Sequence, residues 1–444
     1  MAPADPRLAE RAAAFDSEWL ASRRWFRSKA RQLESVRVEE EVALAGGARL
    51  VILLARHADG GTDRYLVPAV AGSDGTLREP ADGEGAWSAM AAAMADEVEI
   101  SAPSGSLAFR STAALGALLP DGAHEAVGLR ERRLDVEQSN TSVQLGDHLI
   151  LKVYRVLEPG IGPEIEVNAF LTEVGFRWCP QLAGTGIWEP LAGQRAAVAM
   201  LQALVPSRGD GWRWMLGRLA SPPQGPQEAV AAAAQIGGIT AELHAVLASR
   251  PDTPAFGVAA ADRDVVSTWR RTAERGLQEA IEALSGADRE RLEAVADGIR
   301  TRFAAIDGAA GTRMSRIHGD YHLGQLLRTE AGFMVIDFEG EPARPLAERH
   351  ALSSPLRDVA GMLRSFDYAV RTAQREGPDG LDHEAWLRDA RSAFLVAYGS
   401  EHAGEEELLV ALEAEKACYE VRYEANNRPG WTWLPIEALE RLAA

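Results

Sequence analysis

Polar and apolar residues mix along 35–44, while 49–56 and 64–70 are mostly apolar, and all three read as β-rich runs. Glycine-rich connections separate these runs, at Ala45, Gly46 and Gly47 and again at Asp59, Gly60, Gly61 and Thr62. That pattern predicts a three-stranded meander. Residues 87–96 switch to a helical period, with Met90 and Met94 on one face. Upstream, Trp19, Leu20, Trp25 and Phe26 predict a short helix and a turn that pack their aromatics. Residues 1–100 therefore read as a small α+β module, and 101–106 (SAPSGS) as its boundary.

The pattern then repeats with new roles. Residues 132–136 and 142–145 are short strand signals, Gly146 and Asp147 a hairpin turn, and 148–154 (HLILKVY) a buried strand. A helix starts at Pro163, a residue suited to a first helical turn. Residues 196–205 form a further strand running into Pro206. From about 224 onward the period is helical, over 227–247, 263–284 and 287–306. Residues 317–342 break that run with a loop, a short strand, a turn at Glu330, Ala331 and Gly332, and a second strand. Helix resumes over 354–370. Near the end, a helix through 418–426 stops at Asn427, Arg428 and Pro429, and Trp431 and Trp433 follow in an extended segment. The expected organisation is an α+β fold: 1–100, a sheet-rich 101–206 and a mostly helical 207–444.

Bulk properties narrow the class. The chain has 444 residues, 46% hydrophobic and 25% charged, as in globular proteins. No apolar run is read as reaching the roughly 18 residues of a membrane span. The first twenty residues lack the apolar centre of a signal peptide. A net charge of −18 argues against nucleic acid and anionic membrane as partners. Cys179 and Cys418, the two cysteines, have no metal-site spacing, which suits a reducing cytoplasm. The sequence contains no GxxxxGK, GxGxxG, GxSxG or HExxH motif. His124-Glu125 and His383-Glu384 lack the second histidine of a zinc site and read as surface residues.

Three clusters carry chemistry. Lys152 lies inside an apolar strand, where a lysine is costly unless paired. Glu166, with Glu164 as a rival, lies in the following helix; such a pair holds donor phosphates in kinases. The turn at 138–142, with Ser139, Asn140, Thr141 and Ser142, offers N–H and hydroxyl groups to phosphate. Backbone at Gln202, Ala203 and Leu204 is placed to read an adenine edge. In the second cluster, His318, Gly319 and Asp320 precede His322, Gln325, Asp337 and Glu341. Phosphoryl transfer needs an acceptor in line, a carboxylate for the hydroxyl proton and oxygen ligands for Mg2+. Asp320 suits the base, Asp337 and the Gln325 amide oxygen suit the metal, and His318 suits a brace for the loop. Asp358 caps its helix or tethers that loop, and His244 reads as structural. The residues alone reach ATP- and Mg2+-dependent phosphorylation of a small hydroxylated substrate. The third cluster, around Tyr419, Arg422 and Tyr423, puts two aromatic rings and an arginine on one helix face.

HGDYHLGQ, followed by IDFEGEPARPLAERHALSSPLRDVAGMLRSFDYA, resembles the maltokinase branch of the aminoglycoside phosphotransferase-like kinases. The resemblance is greatest over 131–180, 316–370 and 417–435. It implies a bilobal protein kinase-like fold with an N-terminal α+β cap. The Arg24-Trp25-Phe26 segment is similar to the maltokinase opening, although Ser28 replaces a glycine before Lys29. The alternative to packing is that Lys29 or Arg31 reaches the sugar. An Asp-Gly-Trp at 210–212 also matches. The implied reaction moves the ATP γ-phosphate to the anomeric hydroxyl of maltose in a monomeric enzyme. The implied acceptor set is His322, Glu341, Tyr368, Tyr419, Arg422, Tyr423, Glu424 and Arg428. The tail helix would hold the second glucose ring while Asp320 faces the first. Kinases for glucosamine or glucose, and a pseudokinase that senses nucleotide or sugar, are the alternatives.

Overall fold

The structure, a computed structural model, describes residues 14–134, 139–341, 344–376, 381–399 and 405–444. Gln138 of the expected phosphate turn and the first thirteen residues lie outside the described residues. The chain divides into two compact units, 1–175 with 180–205, and 176–179 with 206–444.

The first unit contains two antiparallel sheets. The meander forms as β1 (Leu33–Ala43), β2 (Arg49–His57) and β3 (Thr62–Ala71), with β4 (Leu77–Arg78) completing the order β1-β2-β3-β4. Both faces of this sheet are covered. Trp25 and Phe26, after helix α1 (Ser17–Ala21), pack with Val51, Leu53, Tyr65 and Val67 on one face. Helix α2 (Ala86–Ala95) buries Met90 and Met94 on the other. Arg31 is committed to Asp59 and Asp63, at 2.7 and 3.3 Å, and Lys29 is exposed.

The second sheet has seven strands: β5 (Glu99–Ala102), β6 (Gly105–Ser111), β7 (Glu131–Leu134), β8 (Asn140–Leu145), β9 (Leu149–Tyr154), β10 (Leu182–Pro190) and β11 (Ala196–Ala203). Their order is β5-β6-β10-β11-β9-β8-β7. Residues 101–106 are no linker: they pair across the hairpin of β5 and β6. Leu107, Phe109, Val143 and Leu151 of this sheet share one buried cluster with α2 and with Leu50 and Ile52 of β2. A continuous apolar core, rather than a flexible joint, therefore links the first hundred residues to the second sheet.

The second unit is helical around a small hairpin. Helices α3 (Leu115–Leu118), α4 (Gly122–Val127) and α5 (Pro163–Glu173) belong to the first unit; α6 (Gly211–Leu219), α7 (Gln224–Leu247), α8 (Arg263–Glu282) and α9 (Gly286–Phe303) open the second. The strands β12 (Ala259–Ala260) and β13 (Arg313–Met314) pair, and β14 (Leu326–Arg328) and β15 (Phe333–Val335) form the expected hairpin. Then come α10 (Leu346–His350), α11 (Leu356–Glu376), α12 (His383–Tyr398), α13 (Glu405–Asn427) and α14 (Trp433–Ala443).

Trp431 and Trp433 are not extended: Pro429–Trp431 is a 3-10 turn, and Trp433 begins α14, which buries Leu434, Ile436 and Leu439. An apolar run of membrane length does exist, in α7, with mean hydropathy 1.3. Half of it is buried in the fold, against α12, and a Cβ at Gly237 would stand 2.3 Å from the carbonyl oxygen of Phe394. The apolar run is the seam of that close helix pair.

Candidate active site

On the first unit, the β8–β9–β11 register sets Lys152 opposite Ser142 on one side and Met200 on the other. Lys152 is 8% exposed. Its Nζ donates to both carboxylate oxygens of Glu164, at 2.9 and 3.1 Å, and the Tyr154 hydroxyl donates to the same group at 2.7 Å. The expected partner, Glu166, is therefore replaced by Glu164. Successive helix residues rotate by about 100°, so Glu164 and Asn168 share the buried face of α5, while Glu166 turns to a half-exposed one.

Most of the expected phosphate turn is strand instead. Asn140, Thr141 and Ser142 belong to β8, Thr141 Oγ1 accepts from Arg155 Nε at 2.7 Å, and Ser142 is buried. Ser139 stands just before the strand. On β11, the N–H of Ala203 donates to Gln181 O, and that of Leu204 to His148 O. Those two donors are not open to a base, so any adenine contact from Gln202 onward falls to carbonyls or to Val205.

On the second unit, the loop before β14 is tied from behind. Asp358, in the first turn of α11, accepts from the backbone N–H of His318 at 2.7 Å and of Gly319 at 2.9 Å. Burial alone would raise its carboxyl; His244, at 3.0 Å, together with the other neighbours holds it below the usual range. Asp358 is thus the tether, and His244 braces it. His318 Nε2 donates to Ile336 O at 3.0 Å, which fixes that ring as a brace as well. A Cβ at Gly361 would lie 2.6 Å from Tyr321 O, so α11 approaches this loop as closely as glycine permits.

The loop presents Asp320, half-buried, with Lys416 Nζ 3.1 Å from Oδ1. Lys416, on α13, also donates to Glu341 Oε1 at 2.8 Å, and Arg344 Nε donates to Glu341 Oε2 at 2.6 Å. Burial alone would raise the Glu341 carboxyl, yet Lys416 and Arg344 hold it down to about 2. Burial alone would lower the Lys416 ammonium, but Glu341 and Asp320 raise it above the ordinary lysine range. Glu341, expected to meet the sugar, thus spends both oxygens on these two cations. His322 Nδ1 accepts from Gly324 N–H at 3.0 Å, leaving Nε2 to carry the proton, 3.9 Å from Asp320 Oδ2. Burial pushes its pKa down, favouring the neutral ring.

Gln325 Nε2 donates to Asp337 Oδ2 at 3.0 Å, so the hairpin brings the two expected metal residues together. Asp337 is at φ 66°, a left-handed backbone that a non-glycine residue rarely adopts. The carboxylate and the amide oxygen are hard donors of the kind Mg2+ takes. These residues fit that ion.

A cavity of about 360 Å³ lies within the second unit, against Gly319 and Tyr321, the neighbours of Asp320 in the chain. Its walls include Gly319, Tyr321, Glu341, Arg344, Lys416, Tyr419 and Arg422. Tyr419 and Arg422 both stand on this wall, and Arg422 pairs with Glu279 at 2.6 Å. Tyr423, 48% exposed, stacks on Tyr419 at 6.5 Å but is not on the wall. Tyr368, Glu424 and Arg428 form a separate group: Arg428 Nε donates to Glu424 at 2.9 Å, and the Tyr368 hydroxyl lies 3.4 Å from it. The rotation of α13 explains this split, since Glu424 faces α11 and is buried there. Sequence reading missed Lys416, Arg344, Arg357 and Glu415. Glu415 and Arg357 are also on the cavity wall, paired at 2.8 Å. Glu415 Oε1 is buried with no hydrogen-bond partner among the described residues; Arg344 stands 3.7 Å away.

Known proteins resemble this chain over most of its length. Residues 129–394 match the family model described as phosphotransferase enzyme family, and residues 19–96 match the maltokinase N-terminal cap domain. A protein named glucosamine kinase from Streptacidiphilus jiangxiensis is 32% identical over 428 residues, covering 90% of this chain and 93% of its own. Another of that name, from Mycolicibacterium smegmatis (strain ATCC 700084 / mc(2)155), is 28% identical over 418 residues, covering 91% and 97%. A solved glucosamine kinase in complex with glucosamine, ADP and inorganic phosphate superposes with a TM-score of 0.76 at 28% identity, covering 98% of this chain and 99% of that one. The fold is thus the bilobal kinase-like one expected, and the chain belongs to the phosphotransferase enzyme family, with a cap domain of the maltokinase type at its N-terminus.

Proposed function

We propose that this chain is an ATP-dependent sugar kinase and that its acceptor is an amino sugar, glucosamine. The observation that carries the choice of acceptor is Glu415. A buried carboxylate oxygen with no hydrogen-bond partner among the described residues, on the wall of a polar cavity, suits an ammonium group. The names of the full-length relatives support the same reading.

ATP with Mg2+ is the donor, and the ion, held by Asp337 and Gln325, offsets phosphate charge when bound. In this reading Lys152, oriented by Glu164, holds the ATP phosphates. Asp320 Oδ2 accepts the proton of the acceptor hydroxyl, and neutral His322 donates its Nε2–H toward the same site. Tyr419 offers an aromatic face to sugar C–H bonds, and Arg422 a fork of donors.

Maltose is the second reading. The match to the maltokinase cap favours it, and the stacked pair Tyr419–Tyr423 offers a second ring a surface. There the anomeric hydroxyl is the acceptor. The test is ATP consumption with glucosamine, glucose and maltose, each with and without Mg2+. Glucosamine turned over best, and only with Mg2+, is the expected result. Maltose turned over best moves the assignment to the second reading, and no turnover with any sugar favours a nucleotide- or sugar-sensing protein.

A further inference from the structure

We propose that Lys416 is a positioning residue for the transfer, holding the base Asp320 through a two-carboxylate clamp. The proposal rests on the reading of Asp320 as base.

Three contacts define the ammonium. It lies 3.1 Å from Asp320 Oδ1, 2.8 Å from Glu341 Oε1 and 4.5 Å from the centroid of the Tyr419 ring. Occupation of Oδ1 decides which oxygen the acceptor meets. Oδ2 remains, facing His322 Nε2 across 3.9 Å, too long for a hydrogen bond between them. A hydroxyl seated near both groups gives its proton to Oδ2 and accepts from the imidazole.

The role of Lys416 is geometric. In a loose phosphoryl-transfer transition state little proton transfer is required early, and alignment outweighs basicity. The acceptor O–H bond breaks and its proton goes to Asp320 Oδ2. The oxygen forms a bond to the γ-phosphorus of ATP, and the bond from that phosphorus to the bridging oxygen breaks, its electron pair leaving with ADP.

Glu341 explains the second half of the clamp. Once Asp320 is protonated and neutral, a nearly buried ammonium would lose its counter-charge, which is costly. Glu341, anchored on its other side by Arg344 at 2.6 Å, keeps Lys416 paired and in place. Three residues along α13 from Lys416, Tyr419 lines the acceptor cavity. The residue that holds the base and a residue that meets the sugar thus lie on adjoining turns of one helix.

The test compares K416M, K416R and D320N with the wild type, using the sugar that wild type turns over fastest. The readouts are kcat, both KM values and ADP binding. K416M is expected to lose about 100-fold in kcat, the scale of a misplaced catalytic group, with KM for ATP unchanged. K416R is expected to recover at least about tenfold, because it keeps a cation between the two carboxylates. D320N impaired with K416M near wild type overturns the proposal alone. D320N near wild type overturns the base reading and the proposal with it. K416R no better than K416M, both still binding ADP, also overturns it. Where K416M loses ADP binding along with its fold, E341Q decides: a clear loss of kcat at unchanged KM for ATP supports the clamp, and unchanged kcat overturns it.

Discussion

Each unit of the molecule buries one lysine against carboxylates, and the two are built in opposite ways. Lys152 finds Glu164 only 12 residues along the chain, across a strand and the next helix. Lys416 reaches Asp320 over 96 residues and Glu341 over 75. On the proposed reading Glu164 orients Lys152 toward the donor phosphates. On the same reading Lys416 orients Asp320 toward the acceptor. The comparison teaches that, on the proposed reading, one kind of ion pair would serve either side of a phosphoryl transfer.

The largest expected effect separates the acting carboxylate from the holding one. Asp320→Asn keeps size and the Lys416 contact but removes proton acceptance. Turnover should fall by about 10²- to 10⁴-fold, the range for a general base. Steady-state kinetics with unchanged ADP affinity checks it; turnover near wild type assigns the proton to another group or to water.

Glu341, the holding carboxylate, should show itself in stability as well. Its folded pKa, about 2, lies below the value of 4.5 for a free glutamate. A depressed carboxylate stabilises above its unfolded pKa and loses that contribution as pH falls through the folded one. The shift corresponds to about 3 kcal/mol. Thermal unfolding of wild type and Glu341→Gln should differ steadily between pH 7 and 5, then converge toward pH 2. A gap independent of pH would mean that the two cations do not act on Glu341 through its charge.

The comparison also shows what a sequence discloses. Lys152 was legible because a cation inside an apolar strand must be paired. The hairpin was legible from the turn at Gly332 and from short apolar runs, and Asp337 came with it. The choice of Glu164 over Glu166 was not, because it depends on the rotation at which α5 begins. Lys416 was silent because its partners lie 75 and 96 residues away, a contact set by packing alone. Glu424 and Arg428 misled in the other direction. Four residues apart on a helix, they satisfy each other, whereas their chemistry suggested a sugar. In Trp433, a helix start was hidden by a proline and a second tryptophan nearby, which read as extended.

Lys152→Ala is the donor-side counterpart of the Lys416 substitutions and should give a different kinetic signature. The ammonium holds phosphate in both ground and transition states, so KM for ATP should rise as kcat falls. Loss of a charge-assisted bond of about 1.5–3 kcal/mol corresponds to roughly 10- to 100-fold in kcat/KM for ATP. An unchanged KM for ATP would place Lys152 outside the donor site and remove one arm of the comparison.

The smallest effect belongs to the helix face that adjoins the clamp. Tyr419 contacts the Lys416 ammonium through its ring and stacks on Tyr423. Arg422 is already paired with Glu279 at 2.6 Å, so its bond to a sugar must compete with that pair. Tyr419→Ala removes an aromatic wall of the cavity, and the expected loss is about 1–2 kcal/mol, or roughly tenfold in KM for the sugar. Arg422→Ala should lose less, because the free arginine gives up Glu279 to bind. KM for ATP should stay unchanged in both. Tyr419→Ala should also lower kcat slightly, since Lys416 loses a neighbour, whereas Arg422→Ala should leave kcat alone. Equal kcat values for the two variants would show that Tyr419 serves the sugar and not the clamp. A larger rise in sugar KM for Arg422→Ala would mean that the Glu279 pair is broken by the bound acceptor.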